Sequence, residues 1–205
     1  MSLIGNLKEF EESNIGEIFN AFTANWHNIG PQKGLEDNNL QNFMHWNHYY
    51  NYSLWHEEDE ARRIDVDDSI IAQVKRNIDG FNQNRNDMIQ KMDEELIHSL
   101  TSLNFAIDSG NLNSETPGSM IDRISIVSLK IYHMSEIAED STEDDNVRNS
   151  CASKVETLKN QQSDLESCLK TLIQEIKDGH RHFKVYFQFK MYNDPNLNQA
   201  VRKNS

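Results

Sequence analysis

A guanidinium on an apolar helix seam is the feature of this chain with the most immediate chemical consequence. Ile71, Val74, Ile78, Phe81, Arg85, Met88 and Met92 recur at alternating steps of three and four, and only Arg85 is polar. Such a cation must meet a carboxylate or an anionic ligand, because burying it unpaired costs several kcal/mol or more. Glu58 or Asp59 is the first candidate partner, and Asp87 or Asp93 the second. Glu58 sits on a polar stripe. Asn47, Asn51, Trp55, Glu58 and Arg62 follow steps of four, four, three and four and so line one side of a helix.

A second polar stripe runs along a mostly apolar segment from Met120 to Tyr132. Ser119, Arg123, Lys130 and His133 share a line, with Asp122 beside them. Two cations and a His above a helix N-terminus opened by Pro117-Gly118 could hold a phosphate or carboxylate. Alternatively, Arg123 and Lys130 pair with acids of neighbouring helices. Metal ligation has less support. Glu95 and His98 form a single Glu-x-x-His pair, whereas a di-iron bundle wants two such pairs plus two more glutamates. His45 with His48, and His180 with His182, lack an obvious third ligand. No metal or cofactor is therefore expected, the one alternative being a divalent ion held by His56, Glu58, Asp59 and His133. Nucleophilic catalysis has no Gly-x-Ser-x-Gly turn or phosphate loop to build on. Hydrolysis by carboxylates with a metal is the only enzyme chemistry these residues accommodate.

The elements that must position these groups are long helices, since 205 residues contain only 3 prolines and 8 glycines. Five helices are predicted. They cover about residues 6–27, 39–63, 67–102, 117–139 and 144–179, the last with a continuation through Phe183 to Tyr192 as an option. Thr116 is a natural cap and Pro117 a first helical residue; Asp67-Asp68 and Asp144-Asp145 open two others. The fourth helix, apolar on most of its circumference, should be the most buried. The expected fold is all-α, an antiparallel bundle of four long core helices as two similar hairpins plus an N-terminal helix. One domain spans 1–205, with a core of about 40–179 and a frayed tail over 193–205.

A weak internal repeat underlies the two hairpins. Shifting the chain by 77 positions lays Leu54-Trp55-His56 on Ile131-Tyr132-His133 and Asp67-Asp68 on Asp144-Asp145. The seam through Arg85 falls on Cys151, Val155, Leu158, Gln162, Leu165, Leu169, Leu172 and Ile176, whose one interior polar member is Gln162.

A net charge of −13, from 33 acidic against 20 basic residues, disfavours nucleic acid and anionic membranes as partners. No segment reads as a membrane span or a leader. Cys151 and Cys168 lie on one predicted helix about 25 Å apart, too far to bridge, and fit a reducing cytoplasm as packing residues.

Three stretches carry a family resemblance. They are Leu54-Trp55-His56-Glu57-Glu58-Asp59-Glu60-Ala61-Arg62, then Val74-Lys75-Arg76-Asn77-Ile78-Asp79 with Asn82-Gln83-Asn84-Arg85-Asn86-Asp87, then Leu112 to Ile126 continued by Lys130-Ile131-Tyr132-His133-Met134. Together they resemble domain of unknown function 4254, with order and spacing agreeing from about residue 40 to 175. The resemblance implies a helical bacterial protein and carries no activity, cofactor or site residue.

Two functions remain. The first is binding of a small anionic metabolite (a nucleotide, sugar phosphate or nucleotide sugar), with hydrolysis as an extension. Its candidate pocket gathers Asn51, Trp55, His56, Glu58, Asp59, Arg62, Arg85, Asp87, Glu115, Asp122, Arg123, Lys130 and His133. The second is an interaction or scaffolding protein whose inward charge network is structural, self-associating through aromatics such as Phe183, Phe187 and Phe189. The partners these readings leave are a small anionic ligand and further copies of the chain.

Overall fold

Helix caps set most of the element boundaries. The computed structural model describes residues 7–34, 36–186 and 196–202, which carry α1 (Leu7–Glu12), α2 (Ile15–Ile29), α3 (Leu40–Glu60), α4 (Asp68–Ser102), β1 (Asn111–Leu112), α5 (Pro117–Glu139), α6 (Asp145–Lys177), β2 (Arg181–His182) and α7 (Gln199–Arg202). Asn39, Thr116 and Asp144 each accept a hydrogen bond from a first-turn amide of the helix they precede, and Pro117 takes the first position of α5. The N-terminal segment differs from the single helix expected. Asn14 caps α2 by accepting from the Glu17 amide, so the chain breaks at Ser13-Asn14 into α1 and α2.

The long helices form the expected all-α bundle. α3 packs along α4 and α5 along α6, giving two hairpins, and α5 also touches α2, α3 and α4. That central position is dictated by its composition. Ile121, Ile124, Ser125, Ser128 and Leu129 are all essentially inaccessible, as the apolar circumference requires. The main core joins Ile121 and Ile124 to Phe19, Met92, Leu96, Leu100, Leu169, Ile173 and Ile176, while Leu129 packs in a smaller cluster with Trp26 and Tyr52. Among the described residues no helix is long and apolar enough to cross a membrane.

The last long helix does not continue into the aromatic stretch. Gly179 adopts φ +73°, a left-handed terminator, and its amide bonds the Ile176 carbonyl while His180 bonds Glu175. The chain then forms β2, which pairs in parallel with β1 in the register Asn111 to Arg181 and Leu112 to His182. Phe183 is consequently buried in the core rather than exposed. Phe187 and Phe189 lie outside the described residues, as do 193–195 and 203–205 of the expected frayed tail, whose described part, 196–202, carries the short helix α7.

The α4–α5 approach is as close as it can be at Gly118. A methyl there would sit 2.5 Å from the Ile89 carbonyl oxygen and 2.8 Å from Asp93 Oδ1. Gly118→Ala should therefore cost about 1–3 kcal/mol in urea denaturation with an unchanged slope. Gly80 lies within α4 with nothing near its absent methyl, so Gly80→Ala should gain up to about 1 kcal/mol.

Candidate functional site

The seam through Arg85 opens into a cleft between α3, α4 and α5. It has a volume of about 310 Å³ and is lined by Asn51, Leu54, Trp55, Glu58, Asp59, Arg62, Asn82, Arg85, Ile126 and Leu129. Six of the candidate residues thus share one site: Asn51, Trp55, Glu58, Asp59, Arg62 and Arg85. Arg85 points inward as its spacing requires, with 26% of its side chain exposed, but its partner is none of the four acids expected. Its Nε lies 3.8 Å from Oδ1 of Asp122, a carboxylate only 9% exposed on α5. Glu58 is taken instead by Arg62 one turn along its own helix, at 3.1 Å, and both are exposed. Arg85 Nε is buried and makes no hydrogen bond among the described residues.

Asp122 is held from the other side by amides. Asn47 and Asn51 donate to Oδ1 at 2.8 and 2.9 Å. From there a buried chain runs into α2, and its proton directions follow from its ends. Thr23 donates its hydroxyl to the Phe19 carbonyl, so it accepts from His48 Nε2 at 3.0 Å. His48 Nδ1 is then the acceptor for Ser125, 2.8 Å away, whose oxygen takes the Asn51 amide at 3.0 Å. Burial, with His45 nearby, pushes the His48 pKa down to about 3, so the ring is neutral and the chain carries no mobile charge. Ser125 and His48 are wholly enclosed; this chain is architecture.

The other candidates are dispersed, and the N-terminus of α5 is not a free anion site. Asp93 of α4 already occupies it, accepting from the Gly118 amide at 2.6 Å. Burial outweighs the hydrogen bonds from Thr116 and Gly118 and raises the Asp93 pKa to about 6. Arg123 is clamped by both oxygens of Glu115, at 2.7 and 2.9 Å, and neither lines the Arg85 cleft. Lys130 is exposed. Asp87 accepts from Gln83 and lines a separate, wider cleft of about 680 Å³ beside Asp93 and Tyr186.

His56 and His133 do come together, with a residue that the sequence left unmarked. His27 at the end of α2 places a ring nitrogen within 4.8 Å of one from each of His56 and His133. Tyr132 stacks on His27 at 4.1 Å between centroids, and Trp55 stacks on His133 at 4.6 Å. Glu58 and Asp59 line the Arg85 cleft instead. Burial first, and the charge of His27 after it, lower the pKa of both His56 and His133, which favours the neutral rings. Asn82, Leu54, Ile126 and Leu129 were likewise unmarked as lining residues. Only Asn82 had a signal, one turn before Arg85 on the same helix.

Fold and site define a class: an all-α bundle of two helical hairpins whose junction holds a polar cleft around a half-neutralised arginine. The family described as "Protein of unknown function (DUF4254)" matches residues 41–185, and the chain belongs to it. No curated protein and no solved structure matches the chain.

Two stability measurements check these assignments. Asp122→Ala strands two amides and Arg85 and should cost about 3 kcal/mol, whereas Glu58→Ala, breaking an exposed pair, should cost no more than about 0.5 kcal/mol. Asp93 has a folded pKa above its ordinary 3.8, so the native state binds the extra proton and stability falls as pH rises from 3.8 to 6. Asp93→Asn keeps the acceptor for Gly118 and should remove a loss on the order of 2–3 kcal/mol between pH 3.8 and 6.5. Parallel urea titrations of wild type and variant across that range would show the difference.

Proposed function

We propose that the protein binds a small anionic metabolite in the α3–α4–α5 cleft. The observation that carries this reading is Arg85: a largely enclosed guanidinium whose Nε is buried without a hydrogen bond, beside a carboxylate already holding two amides. A phosphate or carboxylate entering the cleft would supply the missing acceptor and bind in the bidentate manner arginine favours. Leu54, Ile126, Leu129 and the indole of Trp55 give the cleft an apolar wall fit for a base or ring. Glu58 and Asp59 at the mouth suit hydroxyl donors, which favours a nucleotide, sugar phosphate or nucleotide sugar over a bare inorganic anion. Hydrolysis of that ligand is an extension of the same reading. Two free thiols, Cys151 buried and Cys168 exposed, support a reducing cytoplasm as the setting.

One observation favours a second reading, an interaction or scaffolding protein that self-associates. The polar chain from Asp122 to Thr23 is satisfied internally at each link, which is what a structural network requires.

A thermal-shift screen with nucleotides, sugar phosphates and nucleotide sugars, each beside its unphosphorylated parent, tests the binding reading. At a ligand concentration of 100 times Kd the gain is about 2.7 kcal/mol, a rise of several degrees. The phosphorylated compounds should produce it, their parents should not, and Arg85→Met should abolish it. A folded protein unmoved by the whole set, yet multimeric by light scattering, would favour the scaffold.

A further inference from the structure

The second polar convergence, beside the cleft, has the chemistry of a metal centre. His27, His56 and His133 arrive from the ends of α2, α3 and α5, with one nitrogen of each within 4.8 Å of the others. The Nε2 atoms of all three are buried without a hydrogen-bond partner among the described residues. Two of the tautomers follow from what the opposite nitrogen touches. His27 Nδ1 lies 2.8 Å from the Thr23 carbonyl oxygen and His133 Nδ1 lies 3.2 Å from Glu136 Oε2. Both partners only accept, so both Nδ1 atoms carry the proton and both Nε2 atoms present lone pairs.

We infer that these three histidines form a binding site for one divalent transition-metal ion, with zinc the best fit. A backbone carbonyl and a carboxylate holding the far nitrogens are the outer contacts that orient imidazole ligands toward a metal. Deprotonated at Nε2, His56 would add a third lone pair to those of His27 and His133, and a cation accepts all three at once. Nitrogens about 2.1 Å from a tetrahedral ion stand about 3.4 Å apart, so binding requires the rings to draw together by roughly 1 Å. Three protein nitrogens leave a fourth position for water or an anionic ligand, as in metal sites that do chemistry. Tyr52 packs edge-on against both His27 and His56, at 4.9 and 4.5 Å between ring centroids.

The site stands independently of the anion-binding reading, since among the described residues Trp55 is the only cleft-lining residue whose ring stacks on it. The test is a Co²⁺ titration of the full chain after chelator treatment and dialysis. One equivalent per chain should bind with the intense visible absorption of a four-coordinate nitrogen site, Zn²⁺ should displace it, and Zn²⁺ should raise the melting temperature. His56→Gln and His133→Gln should each abolish the absorption. Glu136→Gln, at an exposed position that leaves the core intact, should weaken binding about 10- to 100-fold. His45→Gln, whose ring bonds Gln32 outside the cluster, should bind like wild type, as should Arg85→Met. A folded wild-type protein that takes up no stoichiometric metal, or uptake that survives both His56→Gln and His133→Gln, overturns the proposal.

Discussion

The fold turns on a carboxylate placed on its most enclosed helix. Asp122 cannot be buried alone, and its partners come from two other helices: Asn47 and Asn51 from α3, Arg85 from α4. Each hydrogen bond contributes little net, but each one left unmade would be expensive. The geometry then fixes register. Asn47 and Asn51 are one turn apart on α3, and they face Asp122 and Ser125, one turn apart on α5. Sliding α3 by a turn would break several of these bonds together, so apolar packing supplies the attraction while this polar ladder selects the alignment.

Satisfaction is uneven across the molecule, and the unevenness is informative. Inside the ladder every link has a partner, and His48 is bonded through both nitrogens. At its margins the accounting fails. Among the described residues five buried side-chain atoms have no partner, and four of them are Arg85 Nε and the Nε2 atoms of His27, His56 and His133. Three belong to the histidine cluster and one to the cleft, and Trp55 belongs to both, lining the cleft and stacking on His133. Unmet groups scattered through a fold would signal only local imperfection. Gathered in one histidine cluster and one cleft that share Trp55, they set these two places apart from the satisfied ladder.

The elements were legible because caps and periodicity are local. Thr116-Pro117 located α5 and the two acidic pairs α4 and α6, and the apolar seams gave the inward faces of α4 and α6. The N-terminal break escaped because neither Pro nor Gly stands at Ser13-Asn14, and the cap at Asn14 is a short-range hydrogen bond that periodicity does not register. Arg85 was legible as inward-facing, yet Asp122 was missed as its partner. Spacing states which face of a helix a residue occupies, but not which helix lies opposite. His27 is the extreme case. A lone histidine near a helix end carries no local signal, and only the meeting of α2, α3 and α5 gives it neighbours.

The two hairpins show why the cleft lies where it does. Gln162 occupies on α6 the place that Arg85 occupies on α4, 77 positions earlier. The helix starts at Leu40 and Asp68 correspond to Pro117 and Asp145 under that spacing. Gln162 donates to Ser128 at 2.7 Å and accepts from Asn20 of α2 at 3.1 Å, and is buried. The α2 helix covers that side, so a neutral amide with both ends bonded is the residue that fits. No such cover reaches Arg85 among the described residues, and the same seam position there opens on the cleft. A guanidinium tolerates that half-exposure, because it keeps its charge in a partly wet environment and retains unused donors. Closing one hairpin with α2 and leaving the other open thus yields a sealed seam on one side and a seam opening on a cleft on the other.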